Sequence, residues 1–196
     1  NRCGRLNLAK GLEKRMGIHN DVSEILYTEE KLAQIVKDMG KRISEDYRDK
    51  NLFMVSVLKG SLIFMADLMR AIDIPCAIDF LSVSSYGAGT TTSGAVRILK
   101  DLDCSLEGKD ILVVEDILDS GVTLSYLLKT LSARKPSSIR LCTLLDKPER
   151  RRVPITPDYV GAVVPDEFIV GYGLDYAERY RNLPYIGVLK PEIYSE

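Results

Sequence analysis

Residues 111–124, ILVVEDILDSGVTL, constrain the fold more than any other stretch of this chain. Four apolar residues open it, as in a strand buried on both faces. Three carboxylates, Glu115, Asp116 and Asp119, follow within five positions. A Ser-Gly-x-Thr turn then leads into residues 122–134, whose apolar spacing predicts a helix. Strand, tight polar turn and helix in succession form the repeating unit of an α/β fold.

The rest of the chain extends that unit. Thr28 is placed to cap a helix with Glu29 and Glu30 in its first turn, and Leu32, Ile35, Val36, Met39 and Ile43 recur at helical spacing to about Tyr47. LFMVSVL at 52–58 reads as a buried strand, Lys59-Gly60 as a turn, and Ser61 as the cap of the helix LIFMADLMRAI. Residues 77–86 and 138–145 are predicted strands, AVRILKDL is strand-like, and YVGAVVP, FIVGYGLDY and YIGVL read as short strands and turns. Alternating strands and helices predict an α/β fold: a twisted, mainly parallel sheet flanked by helices, with right-handed crossovers. Two readings of GAGTTTSG at 87–94 stay open, a long hairpin loop and a mobile lid. Residues 1–17 are basic and aperiodic, an N-terminal extension with no assigned function, and they lack the apolar h-region of a signal peptide. Residues 18–196 read as one domain.

Composition removes several classes of function. A chain of 196 residues, 45% hydrophobic, can bury a full core without disulfides or metals. Its 27 Lys and Arg nearly balance 28 Asp and Glu, so neither nucleic acid nor a membrane surface is an expected partner. No apolar run approaches the roughly 20 residues of a membrane span. Cys3, Cys76, Cys104 and Cys142 are scattered, which is read as reduced thiols in a cytoplasmic protein. The single histidine, His19, argues against Ser-His-Asp, Cys-His and His-rich zinc chemistry. Proton transfer then falls to carboxylates, Lys or Tyr.

The acidic turn poses a chemical problem. A turn between a strand and a helix in a parallel sheet favours an anion, because free N–H groups and the helix dipole point there. Ser120 and Thr123 add hydroxyl donors and Gly121 permits close approach, while the Walker spacing is absent. One phosphate monoester fits this better than a triphosphate. Glu115 and Asp116 need another partner, and a vicinal diol offers two hydroxyls to accept from. A ribose 5-phosphate group satisfies both halves of the turn, and Mg²⁺ on the sugar hydroxyls would relieve the repulsion between the acids.

VVEDILDSGVTL resembles the phosphoribosyl-pyrophosphate (PRPP) signature of the type I phosphoribosyltransferases. VLKGS at 57–61, SSYG at 84–87, LLDKPERR at 144–151 and DEFIVGYGLDYAERYRNLPYIGVL at 166–189 follow the order of its bacterial-type hypoxanthine-guanine branch, over roughly residues 22–190. The resemblance implies a fold with a small hood of N- and C-terminal segments. It implies transfer of the 5-phosphoribosyl group from PRPP to N9 of a 6-oxopurine, releasing pyrophosphate, in purine salvage. Glu115, Asp116, Ser120, Gly121, Val122 and Thr123 would bind the ribose phosphate, with Asp119 the general base for the N7 proton. Acidic neighbours and partial burial are expected to raise the proton affinity of Asp119. Lys59, Gly60 and Arg181 would bind pyrophosphate, on a loop that in the family often carries an unusual cis peptide. Lys147 would read the 6-oxo group, Phe168 would stack on the base and the Ile169 backbone would read its edge. Asp175 would join Glu115 and Asp116 around the metal and border the purine site. Ser85-Tyr86 match the family's mobile loop, which supports the lid reading. The family also implies a homodimer or homotetramer. Val122 replaces a vertebrate Lys, and Ser82 and Ser84 replace basic residues, so PRPP affinity and subunit contacts are open to change. Arg150, Arg151 and Arg152 are read as solvated or at a subunit contact. The alternatives are a xanthine-preferring transferase and a PRPP-sensing regulator that binds nucleic acid, the latter lacking the basic face it needs.

Overall fold

The structure is a computed structural model and describes residues 17–85 and 96–195. Tyr86, the stretch 87–94 and nearly all of the N-terminal extension therefore lie outside the described residues. The named elements run β1 (Val22–Tyr27), α1 (Glu29–Asp46), β2 (Leu52–Leu58), α2 (Leu62–Ala71), β3 (Ala77–Ser85), β4 (Val96–Lys100), β5 (Asp110–Leu118), α3 (Val122–Ser132), β6 (Ser138–Asp146), β7 (Tyr159–Val163), β8 (Ile169–Val170), β9 (Ile186–Leu189) and α4 (Pro191–Tyr194), with a 3₁₀ turn at Pro148–Arg150. The chain divides into two compact units, one of residues Ala33–Asp166 and one joining the residues up to Leu32 with those from Glu167 onward.

The larger unit holds a six-stranded sheet in the order β4-β3-β2-β5-β6-β7. β2, β3, β5, β6 and β7 run parallel, and only β4 lies antiparallel, against β3. The continuous apolar runs of β2 and β5 follow from burial on both faces. Phe53, Val55, Val57, Ile111 and Val113 pack with Leu124, Leu127 and Leu131 of α3. The intervening Met54, Leu112 and Val114 are fully buried as well. Each such side chain contributes about 1.5–3 kcal/mol relative to leaving it in water. α1 approaches the sheet at Gly161, where a β-carbon would meet the Leu144 carbonyl at 2.5 Å and Ile35 at 2.9 Å.

The helix starts differ from one another. The Lys31 N–H donates to Thr28 Oγ1 at 3.3 Å, as the sequence predicts. Ser61 does not cap α2 with its side chain. Its hydroxyl turns back to the Val57 carbonyl and to Ser56 Oγ, the latter at 2.7 Å, because both serines are fully buried and need partners there.

The strand order places a crevice. β2 connects through α2 to β3 on one side, and β5 connects through α3 to β6 on the other. Connections that diverge from adjacent parallel strands leave a gap at their carboxyl ends, where α/β proteins bind ligands. Lys59-Gly60 leaves β2 at that point, and Glu115 to Asp119 end β5 beside it.

The smaller unit is an antiparallel sheet in the order β1-β9-β8 over Val170, Tyr180, Leu183 and Leu189. β1 carries no predicted strand signal because three consecutive residues, Ser23, Glu24 and Ile25, are exposed. Among the described residues, no helix is long and apolar enough to cross a membrane.

Candidate active site

The end of β5 and the first turn of α3 line a cavity of about 270 Å³. Glu115, Asp119, Ser120, Gly121 and Thr123 form its polar wall, against Ile117, Leu118 and Leu124. Gly121 stands at the helix N-cap with φ 78°. A β-carbon there would press on Ile155 Cγ2 at 2.5 Å, so both the left-handed backbone and the close neighbour require glycine. Val122 opens α3, and its N–H reaches Ser120 Oγ at 3.4 Å. The first N–H groups of a helix lack carbonyl partners within it, which turns this end of α3 towards an anion.

Carboxylates face the same space. Glu115 Oε2 is buried without a hydrogen-bond partner. Burial first, and the charge of Asp116 second, push the Glu115 carboxyl well above the usual carboxylate range. Asp116 Oδ1 accepts from the Ile117 N–H at 2.7 Å. Its carboxylate also lies against the backbone of Gly60, where a β-carbon would overlap Oδ2. Asp116 and the Lys59-Gly60 turn thus meet at the crevice. A cis peptide bond lies in this turn, and it joins Leu58 to Lys59. Asp119 Oδ1 is buried without a partner, while Oδ2 stands 3.7 Å from Arg150 NH1.

The segment after β6 packs over the turn. Lys147 is 5% exposed; its N–H donates to the Leu118 carbonyl at 3.0 Å and its Nζ stands 3.9 Å from Asp166. Arg150 Nε reaches the same carboxylate at 3.2 Å. Arg151 corrects the solvated reading of the arginine run. Its NH1 donates to the carbonyls of Leu118 at 3.1 Å and Asp119 at 2.8 Å, and its NH2 to Asp146. A solvent-facing Arg here would leave those carbonyls without that donor, and the register of β5 with β6 sets Asp146 opposite Leu118 to receive the guanidinium.

The phosphoribosyl transferase domain family matches residues 22–177, most of the chain. The chain belongs to this family. It is 53% identical over 178 residues to the hypoxanthine-guanine phosphoribosyltransferase of Staphylococcus aureus, covering 91% of this chain and 99% of that protein. It is 56% identical over 179 residues to the bifunctional protein TilS/HprT of Listeria monocytogenes, covering 91% of this chain but 28% of that protein. The chain thus spans little more than a quarter of that bifunctional relative. A crystal structure of a Staphylococcus aureus hypoxanthine phosphoribosyltransferase superposes with a TM-score of 0.89 at 53% identity, covering 91% of this chain and 97% of that one.

Four further candidate residues, Phe168, Ile169, Asp175 and Arg181, lie in the smaller unit. Arg181 NH2 pairs with Asp175 at 2.8 Å and its NH1 donates to the Gly173 carbonyl at 2.7 Å, while its Nε is buried without a partner. The other Asp175 oxygen accepts from the Glu178 N–H at 2.9 Å. Tyr172, Ala177, Glu178 and Tyr180 all take positive φ in this loop, a conformation that side chains resist. Ile169 is buried in β8 opposite Val188. Phe168 is partly exposed, stacked on Tyr194 with centroids 4.9 Å apart and edge-on to Tyr176 at 5.4 Å. Ser85 closes β3.

Arg151, Asp146 and Asp166 were not expected at the site. The only local signal for Arg151 and Asp146 is LLDKPERR, which reads as a charged loop until strand pairing brings it against residues 118–121, while Asp166 opens DEFIVGYG and pairs with Lys147 and Arg150.

Proposed function

We propose that this chain catalyses phosphoribosyl transfer from PRPP to a 6-oxopurine, giving the nucleoside monophosphate and pyrophosphate in purine salvage. The observation that carries the reading is Asp116 set against Gly60, next in sequence to Glu115, which lines the cavity with the N–H-rich turn 119–123. In this reading the carboxylates accept hydrogen bonds from the two ribose hydroxyls. The backbone N–H groups of the turn and the hydroxyls of Ser120 and Thr123 hold the 5-phosphate. Lys59, Gly60 and Arg181 bind pyrophosphate.

Mg²⁺ fits these residues. A buried, unpartnered carboxylate oxygen on Glu115 beside a second carboxylate suits a hard cation. Glu115 and Asp116 would hold it through the diol, with Asp175 as a further carboxylate; when bound, it supplies positive charge to the departing diphosphate.

The chain's own groups handle the proton and the base. Asp119 takes the purine N7 proton as the N9 bond forms. Lys147 donates to the 6-oxo group and rejects a 6-amino group, which brings two donors together. Phe168 stacks on the base and the Ile169 backbone reads its edge. Residues 18–196 act as one phosphoribosyltransferase domain, as a homodimer or homotetramer in the cytoplasm, with no nucleic acid or membrane partner.

A steady-state assay of purified protein with PRPP, Mg²⁺ and hypoxanthine, guanine, xanthine or adenine tests the reading. Nucleotide formation from hypoxanthine or guanine, with adenine inert, is expected. Turnover of adenine alone, or of none of the four, would contradict it.

A further inference from the structure

Three consecutive carbonyls, those of Leu118, Asp119 and Ser120, point one way. The Leu118 carbonyl accepts from the Lys147 N–H and from Arg151 NH1, at 3.0 and 3.1 Å. The Asp119 carbonyl accepts from the same Arg151 nitrogen at 2.8 Å. The Ser120 carbonyl accepts from the Arg152 N–H at 3.0 Å. Three consecutive peptide units are therefore turned towards the segment that follows β6. Their bonds are trans, so each N–H points opposite to the carbonyl of its own unit. The N–H groups of Asp119, Ser120 and Gly121 consequently face away from that segment.

Arg151 is built for this grip. Its side chain is 17% exposed and that of Asp146 is 15% exposed. One nitrogen is shared between two carbonyls while the other is held by Asp146. Only a planar fork meets three acceptors in fixed directions; an ammonium group at the end of a lysine does not. Arg151 Cδ also lies 3.4 Å from where a β-carbon on Gly121 would stand, so its stem packs on the turn it holds.

We propose that Arg151, braced by Asp146, is a positioning residue for the phosphoribosyl site. By holding the Leu118 and Asp119 carbonyls it presets the amide cradle that receives the 5-phosphate and fixes the peptide that carries the Asp119 side chain. This inference rests on the ribose-phosphate reading above and adds a residue that does not touch the substrate. Its effect must therefore fall on PRPP more than on the purine.

The test compares wild type with Arg151→Met, Arg151→Lys and Asp146→Asn. KM for PRPP, KM for hypoxanthine, kcat and thermal melting are measured for each. Loss of a charge-assisted hydrogen-bonding group predicts about a tenfold rise in PRPP KM for Arg151→Met, with hypoxanthine KM changed by less than about twofold. Arg151→Lys is expected to follow Arg151→Met, and Asp146→Asn to move in the same direction by less. Wild-type kinetics in Arg151→Lys, or equal rises in both KM values, would overturn the proposal. So would lowered melting with unchanged kinetics below the transition, which marks a purely structural contact. Should Arg151→Met fail to fold, Arg151→Lys carries the same test. Should the wild type turn over no purine, the functional reading fails by itself. Calorimetry with ribose 5-phosphate then decides the role of Arg151: about tenfold weaker binding in the variant supports it, and equal binding overturns it.

Discussion

The carboxylate of Asp116 occupies the space where a side chain on residue 60 would begin. A β-carbon on Gly60 would overlap Oδ2 and stand 2.9 Å from the carboxyl carbon. Two strand ends, far apart in sequence, are thereby locked at one point of the crevice. Gly60 serves here through its absent side chain, since its backbone conformation is not left-handed.

Gly60→Ala is accordingly expected to push the Asp116 carboxylate out of place. Overpacking of this kind costs about 1–3 kcal/mol, and the loss should appear as roughly a tenfold to hundredfold drop in kcat/KM for PRPP. Steady-state kinetics at fixed hypoxanthine measures it. Wild-type kinetics would mean that the carboxylate position is immaterial.

Glu115 links function to stability. Its carboxyl is raised in the folded protein by burial and by Asp116, so the native state binds that proton more tightly than the unfolded chain. The stability tied to this group is fullest below the unfolded carboxylate range and declines as pH rises through the folded value. Glu115→Gln removes the decline. Unliganded Glu115→Gln is expected to melt above wild type at neutral and alkaline pH, with the gap closing in acid, while PRPP binding weakens. Melting curves across pH, with and without PRPP, check both halves.

Asp119→Asn keeps the shape of the side chain and replaces the basic carboxylate with a neutral amide. Turnover is expected to fall by about 10²–10⁴, the usual range for a general base, with PRPP affinity far less affected. Single-turnover rates alongside PRPP titration measure the two. Unaltered turnover would remove Asp119 from the role of base.

Lys147 is buried, and its backbone is tied to Leu118 at the phosphate turn. Lys147→Ala is expected to reduce the preference for hypoxanthine over adenine, because a site that donates to the 6-oxo group loses its main ground for rejection. The ratio of kcat/KM for the two bases is the measurement. An unchanged ratio would place 6-oxo recognition elsewhere.

The parallel sheet was legible because β2 and β5 are continuous apolar runs and α3 begins at a glycine turn, all signals carried by neighbours in sequence. The crowding of Glu115, Asp116 and Asp119 likewise lies within one short segment. Arg151 was illegible for the opposite reason. A charged residue in a proline-punctuated loop reads as solvated, and only the pairing of Leu118 with Asp146 gives it carbonyls to bind. Ser61 shows the same limit: a serine before a helix suggests a cap, but the buried Ser56 and Val57 carbonyl claim its hydroxyl. Asp175 and Arg181 carried no local signal, and resemblance to the family alone picked them out. β1 escaped notice because its exposed residues blur the strand pattern.

A crystal structure with a 6-oxopurine nucleotide bound tests most directly how the strand end and the turn divide their labour. The expected result is a pentose whose two hydroxyls face Glu115 and Asp116, with its 5-phosphate on the N–H groups between Asp119 and Thr123. A pentose seated away from both carboxylates, or a phosphate held elsewhere, would contradict it.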